Sequence, residues 1–162
     1  MCRTLILLLL ILLLFSSASA ETLSGKVSWI YDGDTIKVDG VGKVRLIGID
    51  TPEKKDSSRD DYYFRHDKIP SPVLRKIANQ AFLFNKEQVK NRKVKLTFAK
   101  EKADSHGRTL AYVFLPDGRM LNQLLIEKGL ASVYRRFNFE HKEDFLRAEQ
   151  SARNQNLGLW HK

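Results

Sequence analysis

The sequence predicts an α+β fold, mainly a five-stranded β-barrel that carries about three helices. Three observations predict it. Short segments rich in Val, Ile and Leu recur between turn-forming pairs, later segments alternate apolar with polar residues, and helical periodicity is confined to three stretches. The 142 residues after residue 20 suit a single domain, because no linker or repeat interrupts them and this length buries an apolar interior without disulfides.

The first three strands are predicted from Thr22 to Ile30, from Thr35 to Val38 and from Lys43 to Ile49. The pairs Asp32-Gly33 and Asp39-Gly40 separate them. Such pairs favour tight turns between antiparallel neighbours, so three consecutive antiparallel strands are expected.

The stretch between Pro52 and Pro72 is polar and charged without clean periodicity, which predicts a loop. A helix is predicted to begin at Pro72, because apolar residues then recur close to every 3.6 positions. The recurring apolar residues are Val73, Ile77, Ala81, Phe84 and Val89.

Two further strands complete the predicted barrel. Val94, Leu96 and Phe98 alternate with lysine and threonine, which indicates a half-buried strand, and Leu110 to Leu115 forms the next. Five strands with inserted helices suggest the OB-fold, a small barrel whose face and loops commonly hold oligonucleotides.

Two more helices are predicted, from Met120 to Lys128 before Gly129 and from about His141 to Asn154. The second places three apolar residues on one face. They are Phe145, Ala148 and Ala152.

The amino terminus is typical of a signal peptide. Leu5 to Phe15 is an apolar run of 11 residues after Arg3, shorter than the roughly 20 that span a bilayer. The small residues of Ala18-Ser19-Ala20 then suit cleavage after Ala20. We expect residues 1–20 to be removed, and residues 21–162 to be secreted or periplasmic without stable membrane association. An uncleaved membrane anchor is the alternative, and Cys2, the sole cysteine, falls in this segment.

The expected mature chain is strongly basic. Without Arg3 it has 27 Lys and Arg against 19 Asp and Glu, a net charge of +8. Nucleic acid, an anionic membrane surface or solubility alone could each account for this charge. A membrane-coating role lacks the amphipathic helix, cationic on one face and bulky apolar on the other, that it would need.

Three clusters carry the candidate chemistry: Asp32-Gly33-Asp34-Thr35, the segment from Arg45 to Glu53, and the segment from Asp104 to Arg108. Each alone is most simply a structural turn or strand exit. Together they supply carboxylates, two arginines and a backbone carbonyl from adjoining strand ends. Phosphodiester cleavage uses such groups, because guanidinium donates paired hydrogen bonds to phosphate oxygens and carboxylates hold a hard cation.

The segments Tyr31 to Lys37, Arg45 to Glu53 and Asp104 to Tyr112 resemble the signature blocks of the staphylococcal nuclease family, in the family's order. Weaker similarity continues to Trp160, so the resemblance covers nearly all of residues 21–162. It implies the OB-fold and a nuclease that accepts DNA and RNA as substrates and leaves 3′-phosphates. We expect a monomer.

The resemblance implies that Ca²⁺ is bound by the carboxylates of Asp34 and Asp50 and by the main-chain carbonyl of Thr51, with Asp32 supporting them. Chemistry also favours calcium, since a water-exposed site with two carboxylates and a carbonyl tolerates irregular coordination that Mg²⁺ resists. Two charged ligands suggest weak affinity, on the order of 10⁻⁴ to 10⁻³ M.

The resemblance further implies that Arg45 and Arg108 grip the scissile phosphate, with Arg108 also favouring departure of the leaving group. Glu53 is placed to act on the attacking water. Both proton abstraction and orientation of that water stay open as its role.

The sequence also departs from the family pattern. The segment from Lys54 to Ser71 is longer, and its interleaved aromatic and cationic residues either stack bases or pin the loop to the barrel. Ser105 and His106 stand where the family often has lysine and tyrosine, and Arg135 and Phe137 where it often has tyrosines. His106 either donates to a phosphate or is simply solvated. A non-catalytic nucleic-acid-binding barrel is the alternative function.

Overall fold

A computed structural model describes residues 22–161, except for the side chains of residues 99 and 100. The predicted signal peptide, residues 1–20, lies outside the described residues. The strands of the described part are β1 (Thr22–Ile30), β2 (Thr35–Val38), β3 (Gly42–Leu46), β4 (Ile49–Asp50), β5 (Lys93–Ala103), β6 (Thr109–Phe114) and β7 (Ser132–Val133). The helices are α1 (Ser58–Asp67), α2 (Ser71–Val89), α3 (Leu121–Glu127) and α4 (Lys142–Asn154), followed by a 3₁₀ turn at Gly158–Trp160.

Five strands form a closed barrel in the order β1-β2-β3-β6-β5, with β5 returning to β1. The predicted α+β barrel, consistent with the OB-fold, is confirmed. The pairs are antiparallel except for β3 and β6, which run parallel with Val44 opposite Thr109. The two remaining strands, β4 and β7, form a separate antiparallel pair beside the barrel.

The barrel interior is filled by the inward side chains of alternating strand positions. Val27, Ile36, Val44, Leu96 and Val113 are completely inaccessible to solvent. Burying each such side chain stabilises the fold by about 1.5–3 kcal/mol. The outward positions between them carry mostly polar or charged residues, which is the alternation that made the strands predictable.

The predicted third strand is wrong beyond Leu46. Gly48 takes a left-handed backbone conformation, with φ of 78°, and turns the chain out of the barrel. A Cβ atom at this position would lie 2.5 Å from the ring of Phe139, so the close packing also requires glycine. The chain then forms β4, whose Asp50 pairs with Ser132 of β7.

The loop predicted between Pro52 and Pro72 contains helix α1, so that prediction is wrong. The side chain of Ser57 caps the helix by accepting a hydrogen bond from the Arg59 backbone N–H at 3.1 Å. Lys68 ends it in a left-handed conformation. Tyr63 is the one fully buried residue of α1, so the helix lacks the apolar stripe that periodicity detects.

Helix α2 confirms the prediction of a helix near Pro72 and packs one face on the barrel. Its buried residues are Leu74, Ile77, Ala78, Ala81, Asn85 and Val89. Within residues 22–161, no helix combines the length and apolar character that crossing a bilayer requires.

Helices α3 and α4 confirm the last two helical predictions within one residue at each end. In α3 the side chain of the fully buried Asn122 forms hydrogen bonds with two separate backbone segments. Its side-chain oxygen accepts from the Val113 N–H at 3.0 Å, and its nitrogen donates to the carbonyl of Ile47 at 3.0 Å. Asn122 thereby fixes the point where the chain leaves β3 toward β4.

Asn122→Ala should lower the free energy of unfolding by about 2–4 kcal/mol, because it leaves a buried N–H and a buried carbonyl without partners. Urea unfolding followed by circular dichroism measures this. Gln123→Ala is the matched control, since Gln123 on the same helix bonds to Glu127 near the surface. Equal stabilities of the two variants would contradict the assigned role of Asn122.

Candidate active site

The turn between β1 and β2 is fixed from outside by helix α2. The side-chain nitrogen of Asn85 donates to the carbonyls of Asp32 and Gly33, at 3.2 and 2.8 Å. A Cβ atom on Gly33 would lie 2.7 Å from the Cβ atom of Ala81 and from Oγ1 of Thr51, so only glycine fits. The turn is therefore held against both the helix and the chain that follows β4.

The carboxylate of Asp34 is buried and saturated with hydrogen bonds. Oδ2 accepts from the backbone N–H of Thr51 at 3.1 Å and from its hydroxyl at 3.0 Å. Oδ1 accepts from the hydroxyl of Thr35 at 3.0 Å and from Nη1 of Arg45. Asp34 thus joins the first turn of the barrel to the exit of β4.

Arg45 bridges the two acidic residues. While Nη1 pairs with Asp34, Nη2 lies 3.4 Å from Oδ1 of Asp50 and donates to the carbonyl of Ile49 at 3.3 Å. Burial and the positive charge of Arg108 lower the pKa of Arg45, although the Asp50 carboxylate opposes them. The two carboxylates therefore converge on one cationic group.

Asp50 is gripped from its other side by helix α1. Oδ2 accepts from Nη2 of Arg59 at 2.5 Å and from the hydroxyl of Tyr63 at 3.1 Å. The Tyr63 hydroxyl also lies 3.0 Å from Oγ of Ser132, the residue opposite Asp50 in the β4–β7 pair. Burial and the Asp50 charge raise the pKa of Tyr63, which keeps the phenol protonated as a donor.

Glu53 lies at the exposed rim of the site, three residues beyond Asp50. Partial burial of its carboxyl raises its pKa, and the negative charges of Asp32 and Asp50 add to this effect, while Arg45 opposes it. Burial likewise raises the pKa of Asp32 despite the attraction of Arg45. The causes of the Glu53 shift show that its carboxyl shares a small region with the carboxylates of Asp32 and Asp50.

Arg108 is oriented by Asp104 across a tight loop. Oδ2 of Asp104 accepts from Nε of Arg108 at 2.7 Å and from Nη2 at 2.6 Å, while Oδ1 accepts from the backbone N–H of Arg108 at 3.0 Å. Partial burial favours a raised pKa for Asp104, but these bonds and one from the His106 backbone hold its pKa below the ordinary value. These bonds therefore hold the Arg108 guanidinium in a fixed orientation.

Arg45 and Arg108 line the same cavity, which has a volume of about 240 Å³ and also touches His106, Tyr134 and Phe137. The two guanidinium groups can thus face one ligand. Tyr134 did not figure among the sequence predictions. Arg135 stands where the family often has a tyrosine, but its side chain pairs with the buried Glu149. Glu149 also accepts a hydrogen bond from the backbone N–H of Val133 at 2.8 Å.

The structure brings the predicted site residues together at one end of the barrel. Four of them, Asp34, Arg45, Asp50 and Thr51, are joined by direct hydrogen bonds, and Glu53 and Arg108 act on them through their charges. In the described part of the chain, no group of three or more His, Cys, Asp or Glu side chains forms a metal-binding cluster.

Sequence reasoning missed three supporting residues, Arg59, Tyr63 and Asn85. Asn85 had a detectable signal, because it interrupts the buried i, i+4 series of α2 with a polar residue. Arg59 and Tyr63 belong to the segment whose aromatic and cationic residues were predicted either to stack bases or to pin it to the barrel. Tyr63 is buried and anchors α1 to Asp50. Phe64 is 56% exposed, so it does not pin this segment to the barrel.

Comparison with known proteins places these residues in a family context. A family model described as "Staphylococcal nuclease homologue" matches residues 43–162. The chain is 34% identical to the thermonuclease of Staphylococcus hyicus over 149 residues, which cover 90% of this chain and 79% of that protein. It is 37% identical to the uncharacterized protein MJ1439 of Methanocaldococcus jannaschii over 147 residues, 84% of this chain and 70% of that protein. It is 35% identical to endonuclease YncB of Bacillus subtilis over 137 residues, which cover 81% of this chain and 58% of that protein.

Asp104→Asn should lower the melting temperature at neutral pH, because it weakens the bonds to Arg108, at a cost of about 1 kcal/mol. Since the folded-state pKa of Asp104 is depressed, its contribution is present above the unfolded pKa of about 3.9 and is lost as pH falls below it. The difference from the unmodified protein should therefore be constant above about pH 5 and should shrink as the pH falls through the unfolded pKa toward the lower folded one.

Asp117→Asn is the matched control for this prediction, because Asp117 bonds to Arg119 in a similar turn that is more exposed. Its effect on melting temperature should be smaller at every pH. A pH-independent loss in Asp104→Asn would contradict an ionic origin.

Proposed function

This chain belongs to the staphylococcal nuclease family, and on that premise we propose a calcium-dependent nuclease that hydrolyses phosphodiester bonds of both DNA and RNA. That it is a phosphodiesterase follows from its family and from relatives named as thermonuclease and endonuclease. The single observation that carries the finer proposal is the convergence of Asp34 and Asp50 on Arg45, beside the cavity that Arg108 enters.

The donor chemistry of the site fits a calcium ion. The carboxylates of Asp34 and Asp50 already face one positive group, so hard oxygen donors from two turns meet in one place. The backbone N–H of Thr51 donates to Asp34, which places Thr51 beside these carboxylates. We propose that these two carboxylates and the Thr51 main-chain carbonyl hold Ca²⁺. The bound ion would supply positive charge for the phosphate oxygens and for the attacking water.

The arginines account for binding of the scissile phosphate in this proposal. Asp104 occupies Nε and Nη2 of Arg108, which leaves Nη1 to donate toward the cavity. With a cation neutralising the carboxylates, the guanidinium of Arg45 would be available to donate to the phosphate. Charge that develops on the equatorial oxygens is then stabilised by two guanidinium groups.

Glu53 acts on the water that attacks phosphorus. Its raised pKa keeps the carboxylate a stronger proton acceptor than an ordinary glutamate. The water oxygen bonds to phosphorus as Glu53 accepts one of its protons, while the bond to the 5′-oxygen breaks. The 5′-oxygen leaves beside Arg108 and takes up a proton from solvent to end as a hydroxyl, Glu53 returns its proton to solvent, and the other product carries a 3′-phosphate.

The deciding experiment incubates the protein with plasmid DNA and with RNA, in Ca²⁺ and in excess EGTA. We expect cleavage with calcium alone, and a loss of at least about a hundredfold in Asp34→Asn, which removes one anionic ligand but keeps the side-chain shape. Cleavage that persists in EGTA would refute the metal assignment. A gel shift without cleavage would instead select the non-catalytic binding module.

The same assay separates the remaining roles. Glu53→Ser should lower the turnover rate about 10²- to 10⁴-fold, and Arg108→Ala should lower it about a thousandfold or more. Asp39→Asn is the control, since Asp39 is an exposed turn residue on another part of the barrel. Melting temperatures of all variants verify that they fold.

We also propose that the enzyme is exported to the periplasm or the medium, on the basis of the apolar run from Leu5 to Phe15 and the small residues before Glu21. Expression of the whole chain in a bacterial host should yield extracytoplasmic protein whose intact mass begins at Glu21. Membrane-bound protein that retains residues 1–20 would support the uncleaved anchor and contradict export in free form.

A further inference from the structure

Large apolar side chains are exposed on the barrel wall next to the active site. Trp29 near the end of β1 is 57% exposed, Tyr31 directly after it is 40% exposed, and Leu83 on the neighbouring helix α2 is 50% exposed. Phe82, one residue before Leu83, lines a depression of about 280 Å³ together with Trp29 and Lys86. Large apolar side chains exposed together in this way mark a contact site more often than a structural one.

Lysine side chains are interleaved with these rings. Lys90 Nζ lies 5.0 Å from the centre of the Trp29 ring, Lys54 Nζ lies 3.3 Å from that of Phe82, and Lys43 Nζ lies 4.6 Å from that of Tyr31. The strand pairing adds a further cation. Lys37 of β2 lies opposite both Trp29 of β1 and Lys43 of β3, so the two lysines continue the outward row that begins at Trp29.

This surface is continuous with the active site. A second depression, of about 480 Å³, is lined by Tyr31, Asp32, Glu53 and Lys54. Lys54 borders it and also lies over the Phe82 ring of the first depression. The path therefore runs from Glu53 through Tyr31 and Phe82 to Trp29. It leaves the site on the Glu53 side, whereas the cavity lined by Arg108 and Tyr134 holds different residues.

We propose that these side chains form a track for single-stranded nucleic acid that enters or leaves the active site. The track consists of three aromatic residues, Trp29, Tyr31 and Phe82, and five lysines, Lys37, Lys43, Lys54, Lys86 and Lys90. It extends the proposed nuclease function and rests on it. Bases stack on the exposed rings, and the lysines neutralise the phosphates between them. The face formed by the second and third strands is also where small barrels of this class commonly hold oligonucleotides.

Unpaired bases suit this surface better than a duplex or a bilayer. In a duplex the base faces are stacked on one another and cannot cover Trp29 or Tyr31, so a single strand gains contacts that a duplex lacks. An anionic bilayer would also attract lysines and aromatic rings. However, the surface leads to Glu53, and only a polymer can lie along this surface and reach the active site at the same time. This continuity therefore favours nucleic acid over a bilayer.

The test measures binding in EGTA, so that it does not depend on cleavage. The probe is a fluorescent oligothymidylate of about 16 nucleotides, near the upper limit of what one such barrel covers. Trp29→Ala should raise its Kd at least about fivefold, and Trp29→Phe should restore most of the affinity because a ring remains. Leu23→Ala is the matched control, since Leu23 is 45% exposed at the far end of the same strand.

Two further measurements separate stacking from charge. Fluorescence of the exposed Trp29 should be quenched by the oligonucleotide, while the buried Trp160 contributes an unquenched background. Lys86→Gln should reduce the slope of log K against log salt by about 0.7, the value for one phosphate contact on a single strand. Lys128→Gln, at the end of α3, should leave that slope unchanged.

The outcomes also distinguish this proposal from the nuclease assignment. Trp29→Ala should cleave a thymidine dinucleotide at the unmodified rate but should show a raised KM for the long strand. Loss of both activities, an unchanged Kd for the oligonucleotide, or tighter binding of a matched duplex would overturn the track. Binding to phosphatidylglycerol vesicles that Trp29→Ala abolishes, with oligonucleotide affinity intact, would replace it with a membrane contact.

Discussion

The site depends on one guanidinium placed between two carboxylates. Asp34 and Asp50 come from different turns and lie close enough to share Arg45, and without a cation the charges of these two buried residues would repel each other. The scaffold around them positions these partners. Asn85 and Gly33 hold the first turn, and the β4–β7 pair holds the second. The barrel thus brings together groups that would otherwise separate.

Helix α1 adds a second cation to this arrangement. Arg59 and Tyr63 hold Oδ2 of Asp50, while Arg45 approaches Oδ1, so the two oxygens of one carboxylate have distinct neighbours. The orientation of Asp50 is therefore set by α1 and by Ser132 opposite it. A segment without a regular apolar pattern in the sequence thus contributes directly to the geometry of the site.

Local sequence determined what could be predicted. Strands β1 and β2 were predicted at their observed bounds, because side-chain alternation and Asp-Gly turns are encoded within a few residues. Helix α1 was not predicted, because it is stabilised by its caps and by Tyr63, which contacts Ser132, a residue more than 60 positions away in the sequence. The motifs identified the residues that meet at the site, but Asn85, Arg59 and Tyr63 became visible only through contacts between distant segments.

The parallel pairing of β3 with β6 has a consequence for how the chain acquires its structure. It joins residues 44–46 to residues 109–111. The β1–β5 pairing that closes the barrel also joins segments that are far apart in the sequence. Such nonlocal pairings form slowly, because the ends of a long flexible segment must first meet. The barrel cannot close until most of the polypeptide has been synthesised. Until then the apolar faces of β1 to β3 stay uncovered, which makes the unfinished chain prone to aggregation.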